Sequence, residues 1–156
     1  MTTTSSDTRI DVDAPVVSSA EGEIDAEIDD VWRVLTAIEQ WPTWNPDVKS
    51  VSIDGPAIEG RTFSWKAGPS TITSTVTRID RPRLIGWTGK TLGITAIHEW
   101  HLEQRDGRTH VRTHESYDGL VARLLRRSLR KTLDTALTNG VRYLKAEAER
   151  VASSSP

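Results

Sequence analysis

Two periodicities of apolar and polar residues divide this chain into strand-like and helix-like stretches. Residues 16–24 alternate loosely with a period of two, which is typical of a strand with one buried face. From Ile28, apolar residues recur at the spacing of an amphipathic helix, and acidic residues crowd its start, where a helix favours negative charge. Pro42 and Pro46 prevent continuation, so the pattern predicts a helix that stops in a short bend.

Six strand-like stretches follow, separated by turn sequences such as DGP, DRPR and RDG. They span residues 48–53, 61–66, 70–79, 84–88, 94–103 and 109–117. Because no helical stretch intervenes, successive strands are expected to pair as antiparallel neighbours.

The last stretch, residues 120–151, is predicted to be one long helix with a continuous apolar stripe. At about 1.5 Å per residue, it is long enough to lie across a whole curved sheet. Gly140 lies on the stripe, where it leaves room for a neighbouring side chain or for a ligand. One antiparallel sheet packed on one helix gives a two-layer α+β domain that encloses a space, a common geometry for a ligand pocket.

Composition sets further limits. The 156 residues suffice for one domain, expected at 16–151, with disordered tails at 1–15 and 152–156. The chain has no cysteine, which excludes disulfides, thiolate nucleophiles and cysteine-ligated zinc. It contains no recognisable secretory signal and no apolar run long enough for a transmembrane segment, so a cytoplasmic location is expected.

Several segments resemble the SRPBCC superfamily, the START-like helix-grip proteins that include polyketide cyclase/dehydrase-like proteins. The segments are IDAEIDDVWRVLTAIEQWPTWNPDV at 24–48, GPAIEGRTFSW at 55–65, RPRLIGWTG at 81–89, IHEWHLE at 97–103 and ESYDG at 115–119. The resemblance implies a curved antiparallel sheet of about seven strands wrapped on a long C-terminal helix, with two short helices between strands one and two. It also implies that Trp41 or Trp44 closes the pocket mouth. Members include lipid binders, cyclases, lyases and regulatory modules, so a cavity is implied without an activity.

The two strands that flank Asp106-Gly107 carry the candidate chemistry. Asp-Gly favours a two-residue type I′ turn, and with that loop the numbers of paired residues sum to 213. His98 then lies opposite Glu115 on the apolar, inner face, and Tyr117 adds a hydroxyl to the same face. Such a pair could bind a ligand hydroxyl or carbonyl, transfer protons, or only satisfy itself within a polar core.

The other histidines and the six tryptophans complete the predicted site. His101, His110 and His114 fall on the opposite, wet face of the hairpin, away from His98, where they could chelate a metal only weakly, so no metal site is expected. No cofactor is expected either. An aromatic lining favours a flat or polycyclic apolar ligand. The expected ligand-binding residues are Trp65, Trp87, His98, Trp100, Thr113, Glu115, Tyr117, Leu133 and Leu137.

Three functions remain open from the sequence. The first is the binding of a small hydrophobic, aromatic or polyketide-like molecule in an internal cavity. The second is a cofactor-independent cyclase, dehydratase or lyase that uses His98 and Glu115 as an acid–base pair. The third is docking on an acidic partner or an anionic membrane, with nucleic acid not expected, through the basic face of the last helix. That face carries Arg123, Arg126, Arg127, Arg130 and Lys131.

Overall fold

The computed structural model describes residues 9–154. The strands are β1 (Val16–Ile24), β2 (Val48–Ile53), β3 (Thr62–Ala67), β4 (Ser70–Asp80), β5 (Leu84–Thr91), β6 (Ile94–Arg105) and β7 (Arg108–Asp118). The helices are α1 (Ile28–Thr36), α2 (Trp41–Trp44), α3 (Leu120–Leu124) and α4 (Arg126–Ser154), with a 3-10 turn at Ile38–Gln40. Of the two expected tails, residues 1–8 and 155–156 lie outside the described residues, and α4 continues through Ser154, past the expected domain end at residue 151.

All seven strands form one antiparallel sheet in the order β1-β7-β6-β5-β4-β3-β2. The first two strands of the chain therefore lie at opposite edges, and α1 and α2 connect those edges. The long helix α4 packs against β1, β7 and α1, so the sheet and helix form two layers around one main core. This is the α+β helix-grip architecture expected from the sequence.

Turn chemistry sets the register of the central hairpin. Asp106 and Gly107 have φ values of 51° and 77°, as a type I′ turn requires at both central positions. β6 and β7 consequently pair with residue numbers that sum to 213, and His98 lies opposite Glu115. The predicted register is confirmed.

The C-terminal helix differs from its prediction in two ways. A break at Leu125, with φ −109° and ψ 27°, separates α3 from α4. The buried stripe is also shorter than expected, because Ser128, Thr132 and Ala136 are exposed. In the early turns of α4, Leu133 and Leu137 are covered by the cluster that includes Val16 of β1, whereas Thr132 and Ala136 face an open space. The buried residues of α4 are Leu133, Leu137, Gly140, Val141, Leu144 and Ala148.

The bend after α1 is built from the tryptophans and prolines of the sequence. Pro42 sits in the first turn of α2, where its missing N–H is not needed. Trp41 is buried, and its indole N–H donates a hydrogen bond to the Leu35 carbonyl at 2.9 Å. Its ring contacts Phe63 and Trp87 in the main core.

Among the described residues, none of the helices has the length and apolar character needed to cross a bilayer.

Candidate functional site

A cavity of about 620 Å³ lies between the inner face of the sheet and the first half of α4. Its other walls are the loop from α2 into β2, residues 45–49, and the β3–β4 hairpin at residues 67–70. Gly68, Pro69 and Thr132 line the cavity and are also exposed, so the space opens to solvent between this hairpin and α4. Concave spaces of this size are typical of small-molecule sites.

Most of the predicted ligand-binding residues line this cavity. They are Trp65, Trp87, His98, Trp100, Glu115, Tyr117 and Leu137. Thr113 and Leu133 do not line it, because both are fully buried behind the wall. Thr113 lies beneath His98, and Leu133 packs with Val16 and Ala122 in a smaller apolar cluster.

Hydrogen bonding fixes the tautomer of His98. Thr113 has one hydroxyl proton, which it donates to the Glu99 backbone carbonyl at 3.1 Å. Nε2 of His98 lies 2.7 Å from the same hydroxyl oxygen and must therefore carry a hydrogen and donate it. In the neutral ring this leaves the lone pair on Nδ1. That atom is buried and has no hydrogen-bond partner in the part of the chain that the structure describes.

Glu115 lies beside this lone pair, with Oε2 3.4 Å from Nδ1 of His98. That separation suits either an ion pair or a neutral acid beside a neutral imidazole. Burial decides between them, because it disfavours the charged form of both groups. It raises the pKa of Glu115 to about 8 and, helped by the charge of His114, lowers the pKa of His98 to about 3. Near neutral pH Glu115 is therefore protonated and His98 is neutral.

Tyr117 contributes a third polar group to the cavity wall. Burial, and then the charge of Glu115, raises the pKa of the Tyr117 phenol above its usual range. The phenol consequently stays protonated and offers both a donor and an acceptor to a ligand.

Aromatic rings surround the polar pair. The rings of Trp87 and Trp100 flank His98, with centroids 4.8 and 5.7 Å from that of the imidazole. The indole N–H of Trp65 donates to the buried Ser74 hydroxyl at 3.0 Å, which fixes this ring at the wall. Gly140 lies against Trp100 and also lines the cavity, so its missing side chain leaves room for both a neighbour and a ligand.

The opposite face of the hairpin is less wet than predicted. Glu99 is buried there, between the guanidinium of Arg78 at 3.0 Å and Nε2 of His101 at 2.9 Å. His101 meets the ring of His114 edge-on. Burial, and then the charge of Arg112, lowers the pKa of His114. Within the described part of the chain, no three candidate ligands come together to hold a metal ion.

Sequence patterns missed the lining residues that belong to loops, to the adjoining ends of strands and to the first half of α4. These are Asn45, Pro46, Asp47, Val48, Lys49, Ala67, Gly68, Pro69, Ser70, Thr132, Thr135, Ala136 and Asn139. Neither Trp41 nor Trp44 lines the cavity, contrary to the closing role expected for one of them. The available signals were the turn sequence AGPS and Pro46 after α2, which mark loops without indicating which surface those loops face.

Comparison with known proteins places the chain in a family. The family described as polyketide cyclase/dehydrase and lipid transport matches residues 10–149, nearly the whole chain. No curated protein matches the chain by sequence.

Solved structures share its architecture. The hypothetical protein jhp0584 from Helicobacter pylori superposes with a TM-score of 0.79 at 16% identity, over 89% of this chain and 91% of that protein. The Zhui aromatase/cyclase from Streptomyces sp. R1128 superposes with a TM-score of 0.75 at 18% identity, over 86% of this chain and 93% of that protein. A START superfamily protein from Mycobacterium smegmatis superposes with a TM-score of 0.61 at 15% identity, over 82% of this chain and 98% of that protein. At these identities, the likenesses show a common fold.

Proposed function

Since the chain belongs to the polyketide cyclase/dehydrase and lipid transport family, we propose that it binds a small, flat, largely apolar molecule in its cavity. The ligand carries at least one carbonyl or hydroxyl oxygen, as polyketide-like and other polycyclic ketones do. The cavity volume falls in the range of small-molecule pockets, and its aromatic walls suit a planar guest.

The observation that carries this proposal is the unpartnered Nδ1 of His98 at the wall of an aromatic cavity. A buried polar atom without a hydrogen bond costs about 1–3 kcal/mol. A ligand hydroxyl that donates to Nδ1 would remove that penalty, and a ligand carbonyl could accept from the protonated Glu115. The pair therefore recognises an oxygen function within an otherwise apolar ligand.

Titration with anthraquinone, a flat tricyclic ketone, tests this function. Trp65, Trp87 and Trp100 lie in the wall, so binding should quench tryptophan fluorescence saturably. Ala136→Phe fills the cavity from α4 and should weaken binding at least about tenfold, a loss of about 1.4 kcal/mol. Ala146→Phe is the matched control, because Ala146 is also exposed on α4 but does not line the cavity. Equal affinity in both variants, or no saturable quenching, would contradict the proposal.

One observation favours a second candidate function, a cofactor-independent dehydratase or cyclase. A protonated acid, Glu115, and a neutral imidazole base, His98, lie side by side at the cavity wall. With a β-hydroxy ketone, Nδ1 of His98 would take the proton from the α carbon while Glu115 protonates the leaving hydroxyl. The Cα–H and C–O bonds break, a C=C bond forms and water leaves. Transfer of one proton from Nδ1 to Oε2 of Glu115 then restores the starting pair.

Turnover of a β-hydroxy aryl ketone, followed by absorbance of the conjugated product, tests this chemistry. His98→Ala should lower turnover about 10²–10⁴-fold. Glu115→Gln should lose turnover while it still binds anthraquinone, because its amide can donate to the same carbonyl. Unchanged turnover in both variants would exclude the catalytic function and leave the binding function standing.

A further inference from the structure

Four leucines project from one end of the domain and form what is here called the leucine patch. They are Leu92 at the tip of the β5–β6 hairpin, 76% exposed, Leu120 and Leu124 in α3, 70% and 74% exposed, and Leu125, 52% exposed. The hairpin and α3 are neighbours, since Gly93 lies against Val121 and Gly119 approaches the Gly93 carbonyl. Exposure this high means that the side chains stand out from the surface and do not line a groove.

Cations lie within the leucine patch and directly after it along the chain. They are Arg123, Arg126, Arg127, Arg130 and Lys131, and residues 119–133 contain no acid. Arg123 lies 4.0 Å from Asp118. The other four make no ion pair with any of the residues that the structure describes. An exposed apolar patch of this kind next to unneutralised cations is a candidate interaction surface.

The combination of apolar and basic groups restricts the class of partner that this surface can bind. A second copy of the same surface would bring the cations against one another. Nucleic acid would neutralise the cations but leave the leucines without an apolar contact. Binding energy at protein interfaces is concentrated in aromatic residues and arginine seated in pockets, and leucine is under-represented there. An anionic bilayer accepts both groups, because leucines reach the acyl boundary while cations meet lipid phosphates.

We propose that the leucine patch and its adjoining arginines dock this domain on an anionic membrane surface. Docking would bring the cavity mouth to the bilayer. Thr91 and Ile94, on either side of the hairpin tip, line the cavity, and so does Leu129, one turn beyond Leu125. An apolar ligand dissolved in the membrane would then have a short path into the cavity. The docking itself is independent of the ligand, whereas this loading path rests on the proposed function.

Co-sedimentation of the full chain with vesicles tests the docking. Vesicles of phosphatidylcholine mixed with phosphatidylglycerol should bind the protein, and binding should weaken as sodium chloride screens the headgroups. Vesicles of phosphatidylcholine alone should bind it far less. Leu120→Gln/Leu124→Gln should weaken binding at least about tenfold, because leucine insertion is lost. Arg126→Gln/Arg127→Gln should weaken it about thirtyfold, which corresponds to about 2 kcal/mol.

Matched controls separate docking from general surface effects. Ile58→Gln removes another exposed apolar side chain, in the β2–β3 loop at the opposite end of the strands, and should leave vesicle binding unchanged. Arg142→Gln/Arg150→Gln removes two cations from the far part of α4 and should change it little. Absence of binding to either vesicle would overturn the proposal and point to an acidic protein as the partner of this surface. Full binding by the leucine variant would overturn the insertion of the leucine patch into the bilayer. Anthraquinone titration of the same variants reports on the cavity separately.

Discussion

Replacing Glu115 by glutamine tests whether the buried carboxyl group is protonated near neutral pH. The glutamine side chain keeps the shape of the protonated acid and, like that acid, carries no charge. What the substitution removes is the titration of the carboxyl group. The pH dependence of stability should therefore change, while the fold is retained.

The magnitude follows from the pKa of Glu115, about 8 in the folded chain against 4.5 for an ordinary glutamate. Between those values the folded chain holds a proton that the unfolded chain has lost. The stability contributed by this proton is thus complete below pH 4.5 and is lost as the pH rises towards 8. Each pH unit between 4.5 and 8 lowers the stability contributed by this proton by about 1.4 kcal/mol. The free energy of unfolding of the wild type minus that of Glu115→Gln should fall by about 5 kcal/mol across the window.

His98 acts with the opposite sign in both proteins. Its pKa is lowered from 6.5 to about 3, so stability is complete above pH 6.5 and is lost as the pH falls towards 3. In the wild type the two effects cancel between pH 4.5 and 6.5, which gives a plateau in the contribution of this pair. In Glu115→Gln the pair's contribution should rise through that interval and stay level above it.

Urea denaturation at a series of pH values, followed by tryptophan fluorescence, measures the difference curve. Carbon-13 NMR of labelled glutamate locates the proton, because a protonated carboxyl and a carboxylate differ in chemical shift. Glu103→Gln, an exposed carboxyl on the same hairpin, is the control and should give no such slope. A level difference curve between pH 4.5 and 8, or a Glu115 signal that ionises near 4.5, would refute the reasoning.

Three further predictions concern stability, measured by urea denaturation. Thr113→Val leaves Nε2–H of His98 without an acceptor and should lower the free energy of unfolding by about 1–3 kcal/mol; a Thr113→Ser variant as unstable as Thr113→Val would contradict this. Gly140→Ala should raise the free energy of unfolding by up to about 1 kcal/mol, because the added Cβ lies 3.6 Å from Trp100, an ordinary contact distance. A lower stability would show that the cavity wall cannot accept the added methyl group. Leu144→Ala, at a fully buried position, should cost about 2–5 kcal/mol, whereas the exposed Leu124→Ala should stay within about 0.5 kcal/mol.

Features set by local sequence could be predicted, and the central hairpin is the clearest case. Asp106-Gly107 imposes the turn, the turn imposes the register, and the register brings His98 opposite Glu115. The protonation of that pair could not be predicted in the same way. It depends on how completely other elements bury the two side chains, and on Thr113, whose role follows from a carbonyl on the neighbouring strand.

Two other misjudged features depend on distant parts of the chain. The hairpin face that carries Glu99 was expected to be wet, but Arg78 reaches Glu99 from β4, across the side-chain gap left by Gly86 on the intervening strand. The stripe at the start of α4 has helical periodicity, yet Thr132 and Ala136 are exposed. Periodicity identifies one face of a helix, whereas coverage of that face depends on how closely the sheet approaches it, and here the cavity separates the two.

The pairing of the first strand with the last has a consequence for biosynthesis. Val16 lies opposite Tyr117 and Ile24 opposite Thr109, so β1 must wait for roughly a hundred further residues before its partner leaves the ribosome. Closing so large a loop precedes any gain from pairing, which slows folding. Throughout that interval the hydrogen-bonding edge of β1 is available to another nascent copy. Chaperone demand for this domain should therefore be greatest late in its translation and should end when β7 emerges.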